Sequence, residues 1–369
     1  MSDASPELQV PAAPVKRRRR GWAIAGGVVA VVLAIVLVGA YLVRLPYVII
    51  SPGAATPVED VVSIRGATTY PHRGSLLFLT VTITRPEPGP NLYRYLAAEL
   101  DDDSEIVGRD DYLQGRSAKQ DEQLNTQLMT QSQLTAKVVA LRRLGYPVTI
   151  TGAGAIVAGV GKGSPASGKL EVRDVITAVD GTPVSTSDEI GPLVRKRPPG
   201  APVTLSITRK GVAKTVTVVT TKGKAGDAKG KAFVGIATVT KDQKVDFTPD
   251  IRINPGAVSG PSAGLAFTLT IIDELTPGNL TGGKKVAVTG EILPGGLVGS
   301  VGGVAQKAAA AHDAGAMLFL VPPDELKEAR SHAHGMKVVA VPNLDAALNA
   351  LHRAGGAAVP PPLSSTTPR

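Results

Sequence analysis

The sequence predicts a mixed α/β protein built in two parts behind a single membrane-spanning helix. Three observations predict it: an uncharged apolar run from Trp22 to Val43, short strands and tight turns from Val148 to Thr220, and alternating strands and helices from Phe233 to Leu351. The chain has 369 residues, enough for an anchor and two modest domains. Apolar residues make up 43% and aromatics only 4%, so the cores must be built from Val, Leu, Ile and Ala. The 41 Gly and 29 Pro fit strands joined by tight turns. With 0 Cys, disulfides and thiolate chemistry are excluded. The net charge of +9 does not point to nucleic acid. Part of it is one run, Lys16 to Arg20, and the remaining basic residues are dispersed among carboxylates without interleaved aromatics. No nucleic-acid partner, metal or cofactor is expected.

The run Trp22 to Val43 spans roughly 30 Å as a helix, the depth of a bilayer's hydrocarbon core. Trp22 stands at one rim, with Tyr41 and Tyr47 near the other, where amphipathic rings settle. The basic run ahead of it predicts a cytoplasmic N-terminus and an extracytoplasmic body. A cleaved signal peptide is the alternative. The apolar run is longer than such a peptide's core, and no small-x-small site closes it. Residues 1–20 are then a disordered basic tail and 21–44 the transmembrane helix.

Residues 45–147 read as an extracytoplasmic strand and helix region that packs with one of the domains after it. Pro46 to Pro57 is an extended, Pro-punctuated exit from the membrane. Val61 to Ile64 and Leu76 to Thr84 are β-branched strands. Pro86 to Pro90 is a turn, and the acidic stretch Asn91 to Asp111 reads as a solvated face. Leu124, Leu128, Leu134, Val138 and Leu141 recur at helical spacing over Gln120 to Leu144, and Gly145 stops that helix.

From 148 to 221 the pattern changes to strands: Thr149 to Val157, Asp174 to Val179 with a turn at Asp180-Gly181, and a hairpin of Val203 to Arg209 with Ala213 to Val219. Ser185 to Val194 is a short helix. Residues 222–231, rich in Gly, Ala and Lys, form a linker. A second domain, 232–353, opens with strands Phe233 to Thr240 and Val245 to Ile253. The loop Asn254 to Gly264 leads into a helix, Leu265 to Leu275. A strand over Lys285 to Thr289, a turn at Pro294 to Gly299 and a helix Val304 to Ala314 follow. Strand, helix, strand and helix close the domain at Met317, Asp324, Met336 and Leu344, and 354–369 is a disordered tail.

Ser262 sits where the loop meets the helix. Free backbone N–H groups and the positive end of a helix dipole are available there, and the small neighbours leave room for a polypeptide to approach. Read locally, Ser262 also fits an ordinary capping serine. Lys307 falls in the first turn of its helix between Val304 and Ala308. Apolar surroundings and the helix start both disfavour an ammonium, as a general base requires, while a lysine there can equally snorkel to solvent.

Gly260-Pro261-Ser262-Ala263-Gly264, Thr289-Gly290-Glu291-Ile292 and Gly302-Gly303-Val304-Ala305-Gln306-Lys307 resemble the motifs of the Lon proteolytic domain, peptidase family S16. The resemblance implies a serine endopeptidase, with Ser262 as nucleophile, Lys307 as its base and Thr289 as support for the lysine. Backbone groups of Gly260, Pro261 and Ala263 would serve the oxyanion. Gly163-Ser164-Pro165-Ala166, Gly168-Lys169-Leu170, Asp174-Val175-Ile176 and Val179-Asp180-Gly181 resemble a bacterial PDZ module, in which a peptide adds to a sheet edge. Its peptide-binding loop is expected at Gly154, Ala155 and Ile156.

The combination is similar to the membrane-anchored, PDZ-containing Lon-like peptidases, the YlbL-like group, and the residue usage suggests an actinobacterium. Relatives of such domains form rings, so a homo-hexamer is a further implication. No Gly-x-x-x-x-Gly-Lys-Ser/Thr loop is present, so ATP is not an expected ligand and substrates are expected to be unfolded or flexible polypeptides. A PDZ-containing envelope adaptor with an inactive Lon-like domain is the alternative function.

Overall fold

The computed structural model describes residues 17–224 and 228–359. The expected tail before residue 17, positions 225–227 of the linker and positions 360–369 lie outside the described residues. The described chain forms two compact units. One is made of the chain through Ser63, Thr69–Val139 and the chain from Arg252; the other is Ala140–Ile251 with Ile64–Thr68.

The first unit begins with the helix Arg17–Leu42, so the last residues of the expected tail are already helical. Within it, Ile24–Leu42 is long and apolar enough to cross a membrane. The unit is built on a six-stranded sheet in the order Lys337–Ala340, Leu318–Val321, Lys285–Val288, Ser75–Ile83, Tyr47–Pro57, Glu105–Gly108. The first four strands run parallel and the last two join antiparallel. Leu318–Val321 is buried at every position, as a parallel strand covered on both faces must be.

Alternation along Ser75–Ile83 assigns the covering helices. Leu77 and Leu79 pack with Val304, Ala308 and Ala311 of the helix Val304–Asp313. Phe78 points the other way and meets the ring of Phe267, on the helix Gly264–Leu275, at 5.9 Å. The two helices therefore cover opposite faces of the sheet.

Three readings are corrected here. The Pro-punctuated exit is a strand, Tyr47–Pro57, that tolerates its prolines because the ladder shifts register between Pro52 and Ala55. The acidic stretch after Asn91 contains the helix Leu92–Glu99 and the strand Glu105–Gly108. Asn91 starts that helix by accepting a hydrogen bond from the Arg94 N–H at 2.9 Å. Val245 to Ile253 is divided into Lys244–Phe247 and Asp250–Ile253.

The second unit is an antiparallel sheet in the order Val212–Val219, Pro202–Arg209, Val175–Val179, Ala155–Val160, Ile236–Thr240. Its core is Val157, Ile176, Val203, Leu205, Ile207 and Val218, with Leu170 and Ile190 packed in. Thr149 to Val157 is not one strand. It breaks into Val148–Thr151 and Ala155–Val160 at Gly154, whose φ of +108° suits glycine. The sequence puts the next domain at Ala232. In the structure Ile236–Thr240 pairs with Ala155–Val160, and Lys244–Phe247 with Val148–Thr151, so the chain stays in this unit through Ile251.

Candidate active site

The loop that carries Ser262 is held by backbone bonds from three directions. Asn254 N–H donates to Val61 O at 2.8 Å, and Gly260 N–H donates to Asn125 O at 2.9 Å. Ser132 Oγ donates to the Pro261 carbonyl at 2.9 Å. Gly290 N–H donates to Ser262 O at 2.9 Å, and Gly290 O accepts from Leu265 N–H at 3.0 Å. The loop is thereby latched to the carboxyl end of the Lys285–Val288 strand. A Cβ on Gly264 would lie 2.6 Å from Ser132 Oγ and 2.9 Å from the Ile292 nitrogen, so only glycine fits the closing position. The N-cap of the following helix is Ala263, without a side-chain cap bond, so Ser262 does not hold the cap position. Ser262 is half-exposed.

The oxyanion group expected from sequence is narrowed. Gly260 has already given its N–H to Asn125, and Pro261 has none. Among the described residues no backbone carbonyl takes the N–H of Ala263 or that of Ser262, both at the helix start. Thr289 is fully buried, and its hydroxyl donates to Ser262 O at 3.4 Å; this bond steadies the serine loop, whereas sequence assigns Thr289 to the lysine. Glu291 is half-buried beside Gly290, and burial pushes its carboxyl up.

Lys307 approaches from the other face of the sheet. Its helix begins at Gly303, whose φ of +66° and close approach to Val81 exclude a side chain. Val81 stands three residues beyond Phe78, the register partner of Val288, so this helix also starts at the carboxyl end of the Lys285–Val288 strand. Lys307 is 3% exposed. Burial pushes its amine down to about 8, and the Glu325 carboxylate pulls the other way. The snorkelling alternative is therefore not what the structure adopts. Glu325 is itself buried; one oxygen accepts from Val301 N–H at 2.9 Å, and the other is buried without a partner. Sequence reasoning missed Glu325, Asn125 and Ser132, because an acid at a helix start and polar residues on a helix read as ordinary surface.

In the second unit, the residues expected as a peptide-binding loop, Gly154, Ala155 and Ile156, lie among backbone pairings. Ala155 and Ile156 are paired on both sides, with Val175–Val179 and Ile236–Thr240. Gly154 N–H donates to Ser185 O and Ala153 N–H to Lys241 O. The sheet has two edge strands, Val212–Val219 at one end and Ile236–Thr240 at the other. The latter follows Phe233-Val234-Gly235, where a cavity of about 820 Å³ is lined by Lys162, Lys222, Lys224 and Phe233.

Residues 132–220 match the family model of the PDZ domain, and residues 233–352 match that of the Lon protease (S16) C-terminal proteolytic domain. The Lon protease of Clostridioides difficile is 40% identical over 114 residues, which cover 28% of this chain and 14% of that protein. Lon protease 2 of Bacillus subtilis is 36% identical over 95 residues, 25% of this chain and 17% of that protein. The chain thus spans a small part of the length of the curated relatives it matches. The crystal structure of the PDZ domain of an SdrC-like protein from Listeria innocua is 26% identical, covers 23% of this chain and 92% of that one, and superposes with a TM-score of 0.21.

Proposed function

In a chain that carries a PDZ domain followed by a Lon-type S16 proteolytic domain, we propose that Ser262 and Lys307 form the catalytic pair of an ATP-independent serine endopeptidase. The observation that carries this reading is the buried Lys307 amine, pushed down to about 8, on a helix that starts at the same strand end to which the Ser262 loop is latched. Neutral Lys307 accepts the proton of Ser262 Oγ, and the alkoxide attacks the scissile carbonyl. The N–H of Ala263 at the helix start holds the tetrahedral oxygen. The Lys307 ammonium then protonates the leaving amine, and water deprotonated by the same amine releases the acyl group. Thr289 steadies Ser262 through the backbone.

The substrates are unfolded or flexible extracytoplasmic polypeptides. A lack of any nucleotide-binding loop in the chain supports a peptidase without an unfolding motor. The Ile24–Leu42 helix supports a single-pass anchor, and the basic run before it supports a cytoplasmic N-terminus. The free edge of Ile236–Thr240 is the place where a substrate strand docks.

The test is cleavage of an unfolded protein such as casein by the full chain in detergent, beside Ser262→Ala and Lys307→Ala, with labelling of Ser262 by a fluorophosphonate. Both variants lose cleavage and labelling. Equal activity in all three proteins sinks the pair. A parent chain that neither cleaves nor labels supports the adaptor reading.

A further inference from the structure

The short helix beside the anchor carries more apolar surface than a water-facing helix needs. Leu92–Glu99 follows directly after Asn91, which bridges to Arg44 just beyond the anchor helix. Leu45 N–H donates to Pro90 O at 2.9 Å, and the two helices pack against each other. One face of the short helix is used inside the unit: Ala98 is buried, and Tyr95 meets the ring of Tyr47 at 5.1 Å. The opposite face holds Tyr93, Leu96 and Leu100, which are 70%, 53% and 88% exposed. Their spacing of three and four residues places all three on one side. The anchor beside them is likewise apolar and unburied along its length.

We infer that the Leu92–Glu99 helix lies in the interface of the same phospholipid bilayer that the anchor crosses, with Tyr93, Leu96 and Leu100 inserted among the lipids. This inference rests on the anchor reading. Continuity with the span identifies the occupant: a surface next to a bilayer-spanning helix meets lipid first. Tyrosine belongs at that depth, since its ring is apolar and its hydroxyl reaches water. Arg44, bridged to Asn91, and Arg94 in the first turn of the helix supply guanidinium groups that can meet phosphates. Asp101, Asp102 and Asp103 follow at once, so the matching surface is zwitterionic and not strongly anionic. The proteolytic unit is then held at two points, by the span and by this helix, and its position above the membrane is set by both.

The chain contains 0 Cys, so single cysteines report cleanly. Tyr93→Cys, Leu96→Cys and Leu100→Cys are each labelled with an environment-sensitive fluorophore in the full chain, reconstituted in phosphatidylcholine vesicles. Glu122→Cys and Lys327→Cys serve as exposed controls, and Leu33→Cys reports the span. The three helix sites should emit to the blue, lose most of their emission to a lipid nitroxide placed near the headgroup, and resist iodide. The controls should do the reverse.

If the helix sites behave like the controls while Leu33→Cys is quenched by a deep nitroxide, the inference is overturned and the anchor stands. Sites shielded from iodide yet untouched by lipid nitroxides overturn it too, because protein then covers them. A Leu33→Cys label that deep nitroxides do not reach overturns the anchor reading itself, and this inference with it.

Discussion

Ser132 Oγ donates a hydrogen bond of 2.9 Å to the carbonyl of Pro261, from a helix residue that is 4% exposed to a loop far ahead in sequence. With Gly260 N–H on Asn125 O, it ties both residues that precede Ser262 to the helix Ala118–Arg143. The Ser262 loop is therefore shaped by a helix that lies far before it in the chain.

Ser132→Ala removes one of the two donors to the Pro261 carbonyl, which keeps the Gly264 N–H at 3.1 Å. Such a loss costs about 1 kcal/mol, or about fivefold. Fluorophosphonate labelling of Ser262 should slow by about that factor. A labelling rate equal to the parent's would show that the bond does not hold the loop.

Gly264→Ala puts a methyl 2.6 Å from Ser132 Oγ and 2.9 Å from the Ile292 nitrogen, both in buried residues. A cost of about 1–3 kcal/mol is expected from such overpacking, read as a lower midpoint in chemical denaturation. The effect should be accompanied by lost labelling, since the loop must shift. Stability and labelling both unchanged would contradict the close packing described at this position.

The pH profile tests Lys307. In the proposed pair its neutral form is the reactive one, so cleavage should climb about tenfold per pH unit on the acidic side and level off above about 8. Glu325 favours the ammonium, so Glu325→Gln, which keeps an acceptor for Val301 N–H, should move the midpoint to lower pH. A midpoint that stays or rises would remove Glu325 from the site. Stability carries a matching sign. The folded state holds its amine below the ordinary 10.5, so the unfolded chain binds more protons between about 8 and 10.5, and stability rises with pH across that window. Lys307→Met should abolish this rise.

Hydrogen exchange distinguishes the two candidate docking strands. Amides of Ala155 and Ile156 should be protected in the free protein, because both residues are paired on both sides. Amides within Ile236–Thr240 should exchange faster and gain protection when a peptide ligand is added. Protection gained at Gly152 to Ile156 instead would return the site to the loop that sequence indicates.

The sequence marks Ser262 and Lys307 because small residues, a proline and a helix start leave a local signature. The helices Gly264–Leu275 and Val304–Asp313 were legible for the same reason, since apolar periodicity is written within about a dozen residues. Strand partners have no such signature. Nothing in Ile236–Thr240 announces a ladder with Ala155–Val160, and nothing in Ser75–Ile83 announces Lys285–Val288 beside it.

By itself, then, the sequence determined the long apolar helix Ile24–Leu42, the helices Gly264–Leu275 and Val304–Asp313, and the PDZ and Lon-type motifs, all of which depend on neighbours along the chain. Only the tertiary structure decided which strands lie at the sheet edges, which N–H groups near Ser262 are already spent, and that Lys307 is stripped of water beside Glu325. These depend on groups brought together from distant segments. Whether a backbone group is free, or a charge is solvated, is settled by what packs against it.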